Sequence, residues 1–166
     1  MDVKFFKCMH CGNVAIKPFD QGVPMSCCGE KMVELRANDT DGAKEKHVPQ
    51  VVVDGSTVHV KVGEVAHPMT PEHLIAFIVL VTEKGYQIAP LTAQDAPEAT
   101  FALAAGDAPV KAYEYCNLHG LWVKELEHPG NAREKDGPAA GMLRVRFRLG
   151  ARFRMVPAVF SRRFLR

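Results

Sequence analysis

The sequence predicts a mainly β protein, a small metal-held segment followed by a two-sheet β-sandwich. Three observations carry that expectation. Four of the five cysteines fall within the first 28 of 166 residues, in a segment with no helical or strand period long enough to bury a core. A stretch that short needs a metal or disulfides to fold. Between Val48 and Glu125, short β-branched runs recur at regular spacing, divided by Gly, Pro and Asp. No amphipathic helix of normal length occurs, and the longest uncharged apolar run, Leu74 to Val81, has eight residues, against about 20 for a bilayer span.

Taken in order, residues 1–36 form the cysteine-rich segment. Asn38 to about Lys46 is polar and reads as a linker or exposed loop, so that a second domain, 37–126, opens there. Val51-Val52-Val53 meets Asp54-Gly55, a hairpin signal, and Thr57 to Val62 alternates, placing Val58, Val60 and Val62 on one face and His59 and Lys61 on the other. His73 to Thr82 is apolar at nearly every position, too apolar for a solvated helix and suited to a central strand. Tyr86 to Leu91, Thr100 to Leu103 and Val110 to Cys116 bring the set to six or seven strands, enough for two sheets around one core.

Composition excludes other classes. With 47% apolar and 24% charged residues, the chain is neither disordered, collagenous nor membrane-spanning in character. The N-terminal Met1-Asp2-Val3-Lys4-Phe5-Phe6-Lys7 lacks a signal-peptide apolar stretch, and cysteines that are few and odd in number argue against a stapled secreted domain. A cytoplasmic protein is expected. The formal net charge of +2 conceals a boundary: residues 1–126 carry 11 Lys/Arg against 16 Asp/Glu, and residues 127–166 carry 10 against 3. The body is acidic and the extension strongly basic.

Two constellations carry chemistry. Cys8-Met9-His10-Cys11 followed by Cys27-Cys28 offers four thiolates for a tetrahedral ion. Their spacing is compatible with a closed zinc ribbon that only holds the fold, and with a redox iron. The adjacency of Cys27 and Cys28 distorts a tetrahedron, which tunes a redox ion more than it helps a structural one; His10 reads as a solvated loop residue. A vicinal disulfide is disfavoured in the cytosol. The second constellation is His47, His67, His73 and His119 with Cys116, all in or beside loops at strand ends. Each alone is unremarkable. Together they exceed the four ligands of tetrahedral zinc, so an ion taking all five is five-coordinate with one face open, and imidazole suits iron.

As strings these residues resemble the desulfoferrodoxin family, the two-iron superoxide reductases. The matching stretches are Lys4-Phe5-Phe6-Lys7-Cys8-x-x-Cys11-Gly12-Asn13, Val23-Pro24-x-x-Cys27-Cys28-Gly29-Glu30, Glu45-Lys46-His47-Val48-Pro49, His67-Pro68-Met69-x-x-Glu72-His73 and Tyr115-Cys116-Asn117-Leu118-His119-Gly120-Leu121-Trp122. They cover about 1–126 in the right order. The resemblance implies a desulforedoxin-like domain whose iron is held by Cys8, Cys11, Cys27 and Cys28. It also implies an immunoglobulin-like seven-stranded sandwich whose catalytic iron is held by His47, His67, His73, His119 and axial Cys116, making two Fe ions per chain. It further implies one-electron reduction of superoxide to hydrogen peroxide without release of dioxygen, a rubredoxin or similar one-electron donor, and a homodimer. Lys46 and Glu45 are then catalytic: the ammonium steers the anion and helps order a proton-donating water, and the carboxylate takes the sixth position once product has left.

The competing reading is a rubredoxin-like electron-transfer or metal-stabilised binding protein with no superoxide chemistry. The family pattern ends near Glu125. In 127–166, Leu143-Arg144-Val145-Arg146-Phe147-Arg148-Leu149 alternates apolar and Arg, a pattern compatible with an edge strand or with an arm for nucleic acid or anionic lipid. Its plainest expectation is a poorly ordered extension with no catalytic role.

Overall fold

The computed structural model describes residues 3–127. The alternating Arg-apolar segment and nearly all of the basic extension lie outside the described residues. Twelve strands and one short helix make up the described chain: β1 Lys4–Lys7, β2 Val14–Lys17, β3 Ser26–Cys27, β4 Glu30–Lys31, β5 Val33–Leu35, α1 Lys44–His47, β6 Pro49–Asp54, β7 Thr57–Val62, β8 Ile75–Thr82, β9 Tyr86–Pro90, β10 Glu98–Ala102, β11 Pro109–Cys116 and β12 Gly120–Glu125. No helix among the described residues is long and apolar enough to cross a membrane.

The sandwich is the expected one. A three-stranded sheet in the order β10-β7-β6 and a four-stranded sheet in the order β12-β11-β8-β9 give seven strands, every pairing antiparallel. The β6–β7 hairpin forms where Asp54-Gly55 predicted it: Asp54 pairs with Thr57, and Gly55 takes φ +57 at the first loop position, where a two-residue turn of type II′ requires glycine. Val58, Val60 and Val62 are buried while His59 and Lys61 are exposed. Together with Ile78, Leu80, Phe101, Ala112 and Cys116 the three valines form the core between the sheets.

The continuous apolar character of β8 has a structural cause. Ile78 and Leu80 face the sandwich core, whereas Val79 and Val81 face the opposite way, into a second cluster with Tyr113, Tyr115, Leu121, Val3 and Phe5. A strand buried on both faces has no room for polar alternation. The cover comes from the N-terminal sheet, ordered β2-β1-β5, whose Phe5 lies 5.0 Å from the Tyr113 ring and stacks on Phe77 at 6.2 Å. The first 36 residues have no period long enough to bury a core of their own, as expected, yet they do form strands. The strands there are only two to four residues long, too short to show a period, and they bury their apolar side against the sandwich.

Asn38 to Lys46, expected as a linker or exposed loop, is exposed at every position but half-buried Gly42, and it is anchored to the sandwich. Asn38 is tied to β12 by three hydrogen bonds: its backbone N–H donates to the Leu121 carbonyl at 3.0 Å, its side-chain amide donates to the Val123 carbonyl at 3.2 Å, and its side-chain oxygen accepts from the Val123 N–H at 2.9 Å. Lys44–His47 closes a single helical turn. Asn38 serves backbone groups of β12 and Thr40 the His119 carbonyl, roles that composition does not distinguish from a solvated loop.

Candidate functional site

Four histidines converge although they come from four separate places in the chain. His47 ends α1, His67 follows β7, His73 precedes β8, and His119 sits in the β11–β12 turn. Ring centroids of His47 and His67 are 4.8 Å apart, of His67 and His73 4.6 Å, of His73 and His119 4.9 Å, and of His119 and His47 4.8 Å, with interplanar angles of 62–79°. The contacts close a ring of four imidazoles set edge to face. Cys116 Sγ lies 3.6 Å from both His67 Nε2 and His119 Nδ1, and the donor atoms of His47, His67, Cys116 and His119 all fall within 4.8 Å of one another. His73 completes the ring by its contacts with His67 and His119. Its Nε2 is buried without a hydrogen-bond partner, the state of a nitrogen whose natural partner is a cation.

Each donor is aimed by its surroundings. The inward face of β11 carries Ala112, Glu114 and Cys116 at period two. The pairing with β8 shifts register between Tyr115 and Cys116, where Ala76 of β8 is passed over. Glu114 is fully buried and its Oε1 lies 3.0 Å from His47 Nδ1, which leaves His47 Nε2 for the centre. His67 Nδ1 lies 2.6 Å from the Pro68 carbonyl and so presents Nε2. The His119 carbonyl accepts from Thr40 Oγ1 at 2.5 Å and Trp122 Nε1 at 3.2 Å. Trp122 stacks on His47 at 4.9 Å and 11°. Gly42 allows this packing: a Cβ there would lie 2.8 Å from Trp122 Cζ2 and 3.1 Å from His47 Cδ2.

The electrostatics favour neutral imidazoles, the metal-binding form. Burial is the leading cause holding His47 down, to about 4, and it also lowers His67 and His73; neighbouring imidazoles and the Lys46 charge push each of the three the same way. Burial raises the Cys116 thiol, so its thiolate needs a cation beside it. Glu114 is pushed up to about 9 by burial. Glu45 and Lys46, which precede His47 in the chain, are exposed, while Cys116 is fully buried.

At the N-terminal sheet, Cys8, Cys11, Cys27 and Cys28 bring four sulfurs within 4.8 Å of one another, none of them in a disulfide. Cys11 Sγ is 3.6 Å from Cys27 Sγ, which is 3.8 Å from Cys28 Sγ. Adjacent cysteines reach one point because Cys28 adopts the left-handed region, φ +53, which a non-glycine residue rarely enters without a compensating interaction. Backbone N–H groups of Cys11 and His10 hold Cys8 down to about 6, and the neighbouring thiols push Cys28 up to about 12. Four crowded thiols of this kind are a metal's donor set. His10 is exposed, as expected of a loop residue.

Fold and donor sets define a class: a β-sandwich metalloprotein with one tetrathiolate centre and one centre of four imidazoles and a thiolate. Comparison with known proteins narrows it. The family model described as Desulfoferrodoxin matches residues 39–125, and the chain belongs to the desulfoferrodoxin family. It is 42% identical over 123 residues to a desulfoferrodoxin of Syntrophotalea carbinolica, covering 74% of this chain and 96% of that one. To a desulfoferrodoxin of Nitratidesulfovibrio vulgaris it is 43% identical over 122 residues, covering 74% and 95%. Among solved structures it resembles the superoxide reductase of Treponema pallidum, with a TM-score of 0.66 and 44% identity, over 75% of this chain and all of that one. The donor sets fit two iron ions per chain.

Sequence reasoning named all nine donors but passed over Glu114, Trp122, Gly42 and Thr40. For Glu114 a signal existed: it is an acidic residue in an otherwise apolar strand, two positions before Cys116 and so on the same face. The others depend on β12, whose strand character was not expected.

Proposed function

We infer that this protein is a superoxide reductase: superoxide, one electron and two protons give hydrogen peroxide, and no dioxygen is released. The observation that carries this reading is the closed ring of four imidazoles with the Cys116 sulfur on its buried side. An iron held there supplies a one-electron reductant, with electron density raised by the thiolate. His47, His67, His73 and His119 are its nitrogen ligands, and Cys116 is its sulfur ligand. Cys8, Cys11, Cys27 and Cys28 would hold a second iron, whose chemistry would be one-electron transfer with an external donor of the rubredoxin type.

The chain's own groups supply the rest. Lys46 is exposed beside His47, and its charge already acts on His47, His67 and His73; it draws the superoxide anion in and orders the water that donates protons. Such steering weakens with salt. Glu45, next to Lys46, would supply a carboxylate to the iron once product has left. A module of residues 1–36, a catalytic sandwich of 37–126 and a dispensable extension of 127–166, assembled as a cytoplasmic homodimer, complete the proposal; five unpaired thiols suit a reducing compartment.

Metal analysis together with a superoxide-consumption assay tests the reading. Two irons per chain and fast loss of superoxide are expected. One metal, or redox cycling without superoxide consumption, would establish an electron-transfer or metal-stabilised module instead.

A further inference from the structure

The turn that follows β7 has no part in the donor sets, yet it is built around the Glu45–Lys46 backbone. Gly63 is buried with φ +72, and a Cβ on it would lie 2.6 Å from the Lys46 carbonyl oxygen, 2.7 Å from the Lys46 carbonyl carbon and 2.8 Å from the Glu45 oxygen. All three contacts are backbone, so no side chain can swing aside to make room. Only glycine satisfies both the left-handed conformation and the close approach. The next two amides then converge on one acceptor: the N–H groups of Glu64 and Val65 donate to the Glu45 carbonyl at 2.7 and 3.0 Å. From the other side the Lys46 N–H donates to the Ala43 carbonyl at 3.0 Å. The peptide carrying Lys46 is thus gripped on both flanks, while the side chains of Glu45 and Lys46 stay exposed.

We propose that Gly63, with the amides of Glu64 and Val65, is a positioning element that fixes the Glu45–Lys46 peptide and thereby aims the Lys46 ammonium at the substrate face of the four-imidazole centre. The inference rests on the steering role given to Lys46 above. A rigid peptide matters because a long exposed lysine gains little from one charge unless its stem starts at a fixed place, and displacements of about 1 Å in positioning groups can cost up to about 100-fold in rate.

The test uses the full-length, iron-loaded protein with Gly63→Ala, Lys46→Ala and the double variant. Gly63→Ala is expected to lower the second-order rate with superoxide by about three- to tenfold, to flatten its salt dependence, and to weaken azide binding followed by absorption, with iron content unchanged. In the Lys46→Ala background the same change is expected to alter the rate by less than about twofold, because two residues acting through one group are not additive. Val65→Pro deletes one of the two amide donors without adding a Cβ at 63, and carries the same comparison if Gly63→Ala fails to fold. A wild-type rate and salt slope in Gly63→Ala, beside a slowed Lys46→Ala, overturns the inference alone. An equal loss from Gly63→Ala with and without Lys46 also overturns it, since the effect is then structural. If Lys46→Ala itself keeps the wild-type rate and slope, the steering role falls and the inference falls with it.

Discussion

Replacing Glu114 with leucine separates two effects that the buried carboxyl exerts together. In the metal-free protein the group is a burden: it is 0% exposed, its Oε2 is buried without a partner, and burial holds its pKa at about 9. Leucine of similar volume removes that burden but also takes the partner from buried His47 Nδ1, so the metal-free melting temperature is expected to stay level or fall slightly. With iron on His47 Nε2, however, the Nδ1–H must donate, and Glu114 Oε1 at 3.0 Å is its acceptor. Leaving that donor buried and unmet costs about 1–3 kcal/mol, which is roughly 5- to 150-fold in affinity. Losing an outer-shell partner of a metal-bound histidine gives a similar range, about 10- to 100-fold. Chelator competition measures the iron affinity, and Glu114→Gln, which keeps an acceptor, is expected to retain most of it. Iron binding by Glu114→Leu within threefold of the parent, or equal weakening in both variants, would refute the reasoning.

Comparing the same metal-free pair across pH gives a signed prediction. The Glu114 carboxyl keeps its proton up to about pH 9 in the fold but loses it near 4.5 when unfolded. The unfolded state therefore binds fewer protons in that window, and the parent is expected to lose stability relative to Glu114→Leu as pH rises from about 4.5 to 9; denaturant titrations that stay parallel with pH would contradict it. Gly42→Ala places a Cβ 2.8 Å from Trp122, which is fully buried, and should cost about 1–3 kcal/mol of stability, seen as a lower melting temperature with a changed visible spectrum of the imidazole centre. For Cys116→Ser the expected result is an iron-loaded protein with little turnover; a wild-type rate removes the Cys116 thiolate from the account. Cys8→Ser should lose the tetrathiolate iron yet still make peroxide from superoxide with an artificial reductant, as peroxide yield will show.

Periodicity made the sandwich legible because its central strands obey simple rules. Val58, Val60 and Val62 alternate since one face of β7 meets the core and the other meets water, and Asp54-Gly55 marks a turn whose backbone needs glycine. The nine donors were legible because cysteine and histidine at these positions also match a family's motifs. Spacing alone did not bring His47, His67, His73 and His119 together, since convergence joins residues as far apart in the chain as His47 and His119. The N-terminal strands were missed because elements of two to four residues carry no period, and their apolar cover for β8 is a tertiary effect. The meaning of Glu114, an acidic residue in an apolar strand, appears only when His47 is seen 3.0 Å away. Gly42 and Gly63 each mark a place where a neighbouring group leaves no room for a Cβ, which the sequence does not show.

The central claim is reduction of superoxide at the ring of imidazoles without dismutation, and product stoichiometry tests it most directly. With excess reductant and a pulse of superoxide, the account predicts one hydrogen peroxide for each superoxide consumed and no dioxygen released. One dioxygen and one peroxide for every two superoxides would contradict it.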